Sequence, residues 1–398
     1  MGKNIVIGID IGTLSVKTMV AEKEKGKLPH VLGVGEAASS GVRKGSVVDV
    51  SEISQAVVAS CREAEKSSGA VIKHAYVSMG GLGVSSLRQK GVVAASRADN
   101  EITEYDVKRA IEACRSPVAL LSNKSVVDAH PLFFTVDGEL ISQNPLGLIG
   151  ARLEAETMFI VGLTQQLNKL IKSVEGAGIT VDDVAVSPFA AGLAVLSKKQ
   201  KEAGVALLDL GAATAALAVF EENLPLSLEI FPIGSSHITN DIAVGFQLSL
   251  EEAEKLKHNF SAEKARKTKL TDIVDARLAD IVELMEKHLK KIGRSRLLPA
   301  GIVVTGGGAN LADLAEFFRR ELQLPAQIGV SQNIHSDYNR FQDPKWSVAA
   351  GLCLYGFEDE KGYVSDFSTI KSAGSVLARW LRAFLPALLF LLVSSKVL

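Results

Sequence analysis

The sequence predicts a two-lobed α/β fold made of two related halves, and three glycine-bearing segments set far apart predict it. They are GIDIGTLSVKT from Gly8, LLDLGAATAALAVF from Leu207 and VVTGGGANL from Val303. Each of the first two runs an apolar strand into Asp-x-Gly, at Asp10-Ile11-Gly12 and Asp209-Leu210-Gly211, and reaches Thr13 or Thr214 before a second strand. That is the pattern of a β-hairpin. The third is a strand, Gly301 to Thr305, that breaks into Gly306-Gly307-Gly308 and a helical pattern from Asn310.

The chemistry of these segments points to a polyphosphate held between the halves. Small residues at the bends (Gly12, Thr13, Gly211, Ala212, Thr214) let phosphate oxygens approach backbone N–H groups without a Cβ in the way. Asp10, at a strand end, suits a hydrated Mg²⁺, because Mg²⁺ dehydrates reluctantly and is held by one or two carboxylates. Asp209 is the matching candidate for positioning metal or water. Lys17, seven residues past Asp10, reaches phosphate as a point charge. At the third segment, glycines let a flat base and ribose lie against main chain.

Composition narrows the class. The 398 residues, 47% hydrophobic and 22% charged, are enough for a large core and more than one domain. A net charge of −1 with no broad Lys/Arg stripe argues against nucleic acid. Cys61, Cys114 and Cys353 are odd in number and far apart, which fits neither a disulfide framework nor a zinc knuckle and points to a reducing compartment. The seven histidines are scattered singly and propose no metal site. The opening MGKNIVIGIDIG has an apolar run too short for a signal peptide and reads as a first strand, so a cytoplasmic protein is expected.

The elements follow in order. Two strands flank the first bend from Asn4 to Ala21, and HVLGVGEAA adds a third. Ser51 is the expected cap of a helix whose stripe is Ile53, Ala56, Val57, Ser60 and Ala64. HAYVSMGG is the next strand. Residues 85–161 form an α+β insertion, with a helix opened by Thr103-Glu104 and striped by Val107, Ala110, Ile111 and Cys114. A helix stopped near Gly178 and the helix SPFAAGLAVLS lead into the second half. That half repeats the pattern, with a hairpin from Leu207 to Phe220, a strand from Pro225 to Phe231 and a helix through Ile238 to Ile242. Leu250 to Pro299 is a helical, Lys- and Glu-rich insertion, and a helix from Ser347 to Gly356 closes the half. The expected boundaries are 1–84 with 162–197 for the first half, 85–161 for its insertion, 198–249 with 300–362 for the second half and 250–299 for the helical insertion. A linker at 363–374 and a tail at 375–398 follow. Ligand is expected in the cleft between halves. In the helical insertion, Glu254 and Lys257 read either as a solvated pair supporting the helix or as a grip on ribose and base edge.

The tail has a chemistry of its own. Val376, Leu377, Trp380, Leu381 and Phe384 share one side of a helix drawn at 3.6 residues per turn, with Arg379 and Arg382 opposite. An apolar face with Trp and arginines for anionic headgroups is membrane-surface chemistry. The run from Ala383 to Val393 is shorter than the roughly 20 residues needed to span. A helix docked on the protein's own body is the alternative; the polar linker YVSDFSTIKSAG, which tethers the tail away from the core, weighs against it.

Taken in order, these segments resemble the superfamily of actin, the heat-shock chaperone ATPases and the sugar kinases, and within it the bacterial FtsA cell-division family. GIDIGTLSVKT, VSMGG, QNPLGLIGARLEAE, SPFAAGLAVLS, FPIGSSHITNDIAVGF, VVTGGGANL and SVAAGLCLYG carry the likeness across nearly the whole chain. The resemblance implies an actin-like fold with an SHS2-like first insertion, ATP and Mg²⁺ as cofactors, and a filament on the cytoplasmic face of the cell membrane at the division septum. It also implies an FtsZ C-terminal tail as partner alongside membrane lipids, other division proteins and further copies of the chain. By the same likeness Gly234 belongs to the nucleotide site, and the FtsZ tail docks on the helical insertion, with Arg277, Lys287, Lys290 and Lys291 as candidate contacts. The family commonly has GGGT after the second Asp-x-Gly and an acidic residue two positions beyond the Thr, where this chain has Gly211-Ala212-Ala213-Thr214 and then Ala216. Loss of that carboxylate implies weak or absent hydrolysis. A pilus-assembly scaffold of the PilM type shares the fold and the first insertion, but the amphipathic tail favours FtsA. A sugar-kinase phosphotransferase would need a catalytic Asp at a substrate pocket, and the sequence places none.

Overall fold

The structure is a computed structural model and describes residues 4–141, 144–258, 267–336, 341 and 343–359. The linker and the amphipathic tail lie outside the described residues. Packing divides the described residues into two units, one made of residues 4–85 with Gln165–Glu358 and the other of Ser86–Thr164.

The first unit opens with the hairpin β1 (Asn4–Ile11) and β2 (Ser15–Lys23), followed by β3 (His30–Ala38), the short pair β4 (Val42–Arg43) and β5 (Ser46–Val47), α1 (Val50–Ser68) and β6 (His74–Met79). The helix stripe is buried as expected, joined by Cys61. Its cap is Asp49, not Ser51. Asp49 takes the extended conformation, and its carboxylate accepts from the Glu52 amide at 3.0 Å, so Ser51 falls inside the first turn.

The second unit is built on β7 (Val84–Ala94), α2 (Glu104–Ala119), β8 (Lys124–Val136), β9 (Glu139–Ile141) and β10 (Arg152–Leu163). Its four-stranded sheet runs β7-β10-β8-β9, and the α2 stripe of Val107, Ala110, Ile111 and Cys114 is buried on it. Thr103 caps α2, with Asp106 completing the reciprocal box.

The chain returns through α3 (Thr164–Glu175), β11 (Thr180–Val186), α4 (Ser187–Val195) and α5 (Lys198–Ala203). The second half follows as β12 (Val205–Leu210), β13 (Ala215–Glu221), β14 (Leu224–Phe231), α6 (Ser235–Phe246), α7 (Leu250–His258), α8 (Lys267–Lys291), β15 (Ile302–Thr305), α9 (Leu314–Leu322), β16 (Ala326–Ile328) and α10 (Ser347–Asp359). No helix begins at Asn310. The glycine run ends in a single 3₁₀ turn, Gly307–Asn310, because the Asn310 side chain donates to Asp343 at 2.8 Å and Asp313 takes a left-handed conformation before α9. Gly301, at φ +70°, precedes the strand rather than joining it.

The duplication is plain in the sheets. One runs β11-β6-β1-β2-β3 and the other β16-β15-β12-β13-β14, each with an antiparallel hairpin followed by parallel neighbours. Both sheets bury apolar side chains on two faces, as strands covered by helices do. The halves are joined by α4 and α10, which touch closely: a Cβ on Gly351 would lie 1.8 Å from the Ala190 carbonyl oxygen. Only glycine lets these helices meet there. α10 lies on the first sheet, where Cys353 Sγ approaches the Met19 carbonyl at 3.5 Å. Burial pushes that thiol up to about 12, so it is a packing group and not a nucleophile. None of the helices among the described residues is long and apolar enough to cross a membrane.

Candidate functional site

The carboxyl ends of β1, β6, β12 and β15 converge on a cavity of about 580 Å³ between the two halves. Open α/β sheets place ligands beyond these ends.

The two bends have one geometry. Gly12 N donates to Ser15 O at 3.0 Å, and Gly211 N donates to Thr214 O at 2.9 Å. In each, the amides of the next two residues, Thr13 and Leu14 or Ala212 and Ala213, have no protein acceptor among the described residues. These four amides, not those of the glycines, are the donors an anion could use. Gly234 does not line the cavity. It lies beneath the second bend, where a Cβ would sit 2.6 Å from the carbonyl oxygens of Gly211 and Ala212, and the α6 amides of Ser235 and Ser236 brace those same carbonyls at 2.9 Å.

Asp10 is held on both sides. Ser78, from the neighbouring parallel strand, donates to Asp10 Oδ1 at 2.8 Å while accepting from the Ile11 amide at 3.1 Å. Lys17 faces Asp10 across the hairpin, with Nζ 3.7 Å from Oδ2. The matching pair in the second half is Asp209 and Ala216. A methyl group thus occupies the place where the first half has a cation. Burial therefore raises the Asp209 carboxyl to about 7, the negative charge of Asp10 adds to the rise and Lys17 only partly opposes it. Two carboxylates facing each other across a cleft are a donor set for a hydrated divalent cation.

On the far wall, Gly306, Gly307, Gly308 and Asn310 line the cavity with Glu254 and Lys257. Lys257 is not solvated. It is 8% exposed and donates to Glu254 at 2.8 Å and to Thr239 at 2.9 Å, with Thr239 also bonded to Glu254. Against the cost of burying Glu254, the bonds from Lys257 and Thr239 and the Lys257 charge hold its carboxyl below the usual range. The solvated pair on this helix is Glu251 with Lys255, both exposed.

Of the expected nucleotide residues, Asp10, Gly12, Thr13, Lys17, Asp209, Gly211, Ala212, Thr214, Glu254, Lys257, Gly306, Gly307, Gly308 and Asn310 all line one cavity. The sequence reading missed Ser15, Glu36, Ser78 and Lys345. Lys345 precedes α10 and donates to Glu36 on β3 at 2.8 Å. No periodicity relates positions 309 apart. Ser78 was legible in principle, being the last polar residue of an apolar strand adjoining β1. On the helical insertion, Arg277 is tied to Asp241 at 2.7 and 3.0 Å and to Asp280 at 2.9 Å, so it locks α8 to α6. Lys287, Lys290 and Lys291 are exposed on the last turns of α8. Val376, Leu377, Arg379, Trp380, Leu381, Arg382 and Phe384 lie outside the described residues.

Comparison with known proteins gives the family and the fold. A family model described as cell division protein FtsA matches residues 206–351, and one for the SHS2 domain inserted in FtsA matches residues 81–161. The cell division protein FtsA of Borreliella burgdorferi is 31% identical, over 95% of this chain and 96% of the relative. The chain belongs to the FtsA family. FtsA of Bacillus subtilis is 32% identical, over 88% of this chain and 83% of the relative. Among solved structures, a PilM–PilN type IV pilus biogenesis complex matches with a TM-score of 0.66 at 18% identity, covering 88% of this chain and 98% of that one. MreB5 of Spiroplasma citri bound to ADP matches with a TM-score of 0.52 at 12% identity, covering 90% and 98%. These likenesses are in the fold, which is actin-like. Within the FtsA family, this chain is a cell-division protein whose SHS2 insertion sits between β6 and α3.

Proposed function

We propose that this FtsA-family protein binds ATP with Mg²⁺ between its halves and polymerises as an actin-like filament on the cytoplasmic face of the membrane at the division septum. There it tethers FtsZ, with weak or absent hydrolysis. The observation that carries the reading is the single cavity in which both Asp-x-Gly bends and the Gly306 turn meet.

The residues present fit the ligand. The unpaired amides of Thr13, Leu14, Ala212 and Ala213 face phosphate oxygens, Lys17 supplies a charge, and Asp10 and Asp209 hold the hydrated cation. Bound Mg²⁺ neutralises phosphate charge. Gly306, Gly307, Gly308 and Asn310 border the adenosine, with the Glu254–Lys257–Thr239 cluster as its polar edge. Ala216 offers no carboxylate to position water, which supports slow turnover.

The helical insertion takes the FtsZ C-terminal tail, residues 85–161 take other division proteins or the next subunit, and the tail at 375–398 lies on the lipid surface. The test is electron microscopy of the purified protein on lipid monolayers. Filaments that form with ATP and not without it support the reading. Monolayers bare under both conditions overturn it.

A further inference from the structure

The end of the first unit opposite the cleft is basic, although the chain as a whole carries a net charge of −1. From Lys287 to Arg296 there are five basic residues and no acidic one. α5 contributes Lys198, Lys199 and Lys201.

These two stretches form one surface. Arg294 donates twice to Glu221 Oε2, at 3.0 and 2.6 Å, and the turn after Glu221 is bonded to α5 through Glu222 N to Glu202 O and Asn223 N to Lys201 O, each at 3.1 Å. Ala300 N closes the contact on Gly204 O at 3.0 Å. Glu202, Glu221, Glu222, Glu286 and Glu358 lie among the cations; Arg294 neutralises Glu221 and Lys290 pairs with Glu286 at 3.5 Å, and with Lys198, Lys199, Lys287, Lys291 and Arg296 also present the balance stays positive. Lys198, Lys199, Lys290, Lys291 and Arg296 are exposed, and Leu297, beside Arg296, is an apolar side chain left 64% exposed.

The position of the chain exit gives this surface its meaning. α10 begins at the cleft and ends at the opposite edge, where Phe357 lies under Lys23 and Glu358 acts on Lys201 through its charge. The last described turn of α10, at Phe357 and Glu358, therefore lies beside the basic surface. Exposed lysines and arginines around an apolar side chain suit the headgroup layer, where long side chains keep their charge in the polar zone.

We propose that this face of the folded body rests on an anionic lipid surface, as a second contact next to the amphipathic tail. The proposal rests on the reading of residues 375–398 as a membrane anchor. It reassigns Lys290 and Lys291 from the FtsZ C-terminal tail to lipid. Two-signal anchoring is the expected design when one short apolar segment gives only marginal binding.

The experiment uses the full chain and vesicles of phosphatidylcholine with or without phosphatidylglycerol. K198Q/K199Q/K290Q/K291Q is compared with wild type, with K66Q/K90Q/K108Q/K255Q as an equal-charge control and with W380E/F384E. Each lysine near an anionic surface accounts for at most about fivefold. The first variant is expected to bind phosphatidylglycerol vesicles at least ~10-fold more weakly, with less dependence on salt, while the control and the binding to pure phosphatidylcholine stay as in wild type. Wild-type binding by the first variant overturns the proposal, as does an equal loss in the control. So does a variant that keeps its lipid binding but no longer binds an FtsZ C-terminal peptide. Binding that survives W380E/F384E unchanged sinks the tail reading instead, and the difference between the two lipids still decides on the basic face.

Discussion

Lys345 Nζ lies 2.8 Å from Glu36 Oε2, an ion pair that joins the second half to the first at the wall of the cavity. Glu36 also accepts from Ser15 Oγ at 2.9 Å. Burial raises its carboxyl, but the bonds from Lys345 and Ser15 and the charges of Lys345 and Lys17 outweigh this and hold it below the usual range. A lowered carboxyl contributes its stability above the ordinary pKa near 4.5 and loses it as pH falls further, so the tie is constant at neutral pH. The pair is half-buried, and such pairs contribute about 0.2–1 kcal/mol. Glu36→Gln is therefore expected to release a fluorescent ATP analogue up to about fivefold faster in stopped flow. An unchanged rate would mean that the pair does not hold the cleft shut.

Asp209 gives a pH signature. Its carboxyl is raised from 3.8 to about 7, so the folded, ligand-free protein binds the extra proton and loses stability as pH rises through that window. The penalty is absent below the lower value and complete above the upper one. Asp209→Asn removes it. The gain in Tm of the variant over wild type is expected to grow from about pH 5 to about pH 8, by differential scanning fluorimetry without nucleotide. A gain independent of pH contradicts the assignment.

Ala216 tests the proposal of weak or absent hydrolysis. It faces Asp209 across the hairpin and lines the cavity, so a carboxylate there points at the same space. General-base assistance is typically 10²–10⁴-fold. Ala216→Asp is expected to raise phosphate release at least ~10-fold in a coupled assay, and an unchanged rate places the slow step elsewhere.

Much of this fold was legible because its signals are local. Asp-x-Gly after an apolar strand announces a bend wherever it occurs, and its recurrence at Asp10 and Asp209 made the duplication visible without letter-by-letter repetition. The stripe Ile53, Ala56, Val57, Ser60 and Ala64 gave α1 through its period alone, and the cap slipped from Ser51 to Asp49 because several acceptors in a row compete for one role. Features made by tertiary contact stayed hidden. The burial of Lys257 depends on Thr239 from another helix, and Glu36 meets Lys345 only when the halves come together. The helical pattern expected from Asn310 does not start there, because the bond between Asn310 and Asp343 closes a 3₁₀ turn first.

Gly234 shows the limit of motif reading in another way. A conspicuous glycine beside a phosphate-type bend reads as a ligand contact, yet its role is to let α6 pack beneath Gly211 and Ala212. Only the backbone path distinguishes the two.

In the proposed site Asp10, fixed by Ser78 and Lys17, helps hold Mg²⁺ and a triphosphate between the two halves. Calorimetric titration of ATP with Mg²⁺ into wild type and Asp10→Ala tests it most directly. Saturable binding of one nucleotide per chain, weakened at least ~10-fold by the substitution, in line with losing a charged contact of roughly 1.5–3 kcal/mol, is the predicted result. Equal affinity in the two proteins, or no binding by wild type, would contradict it.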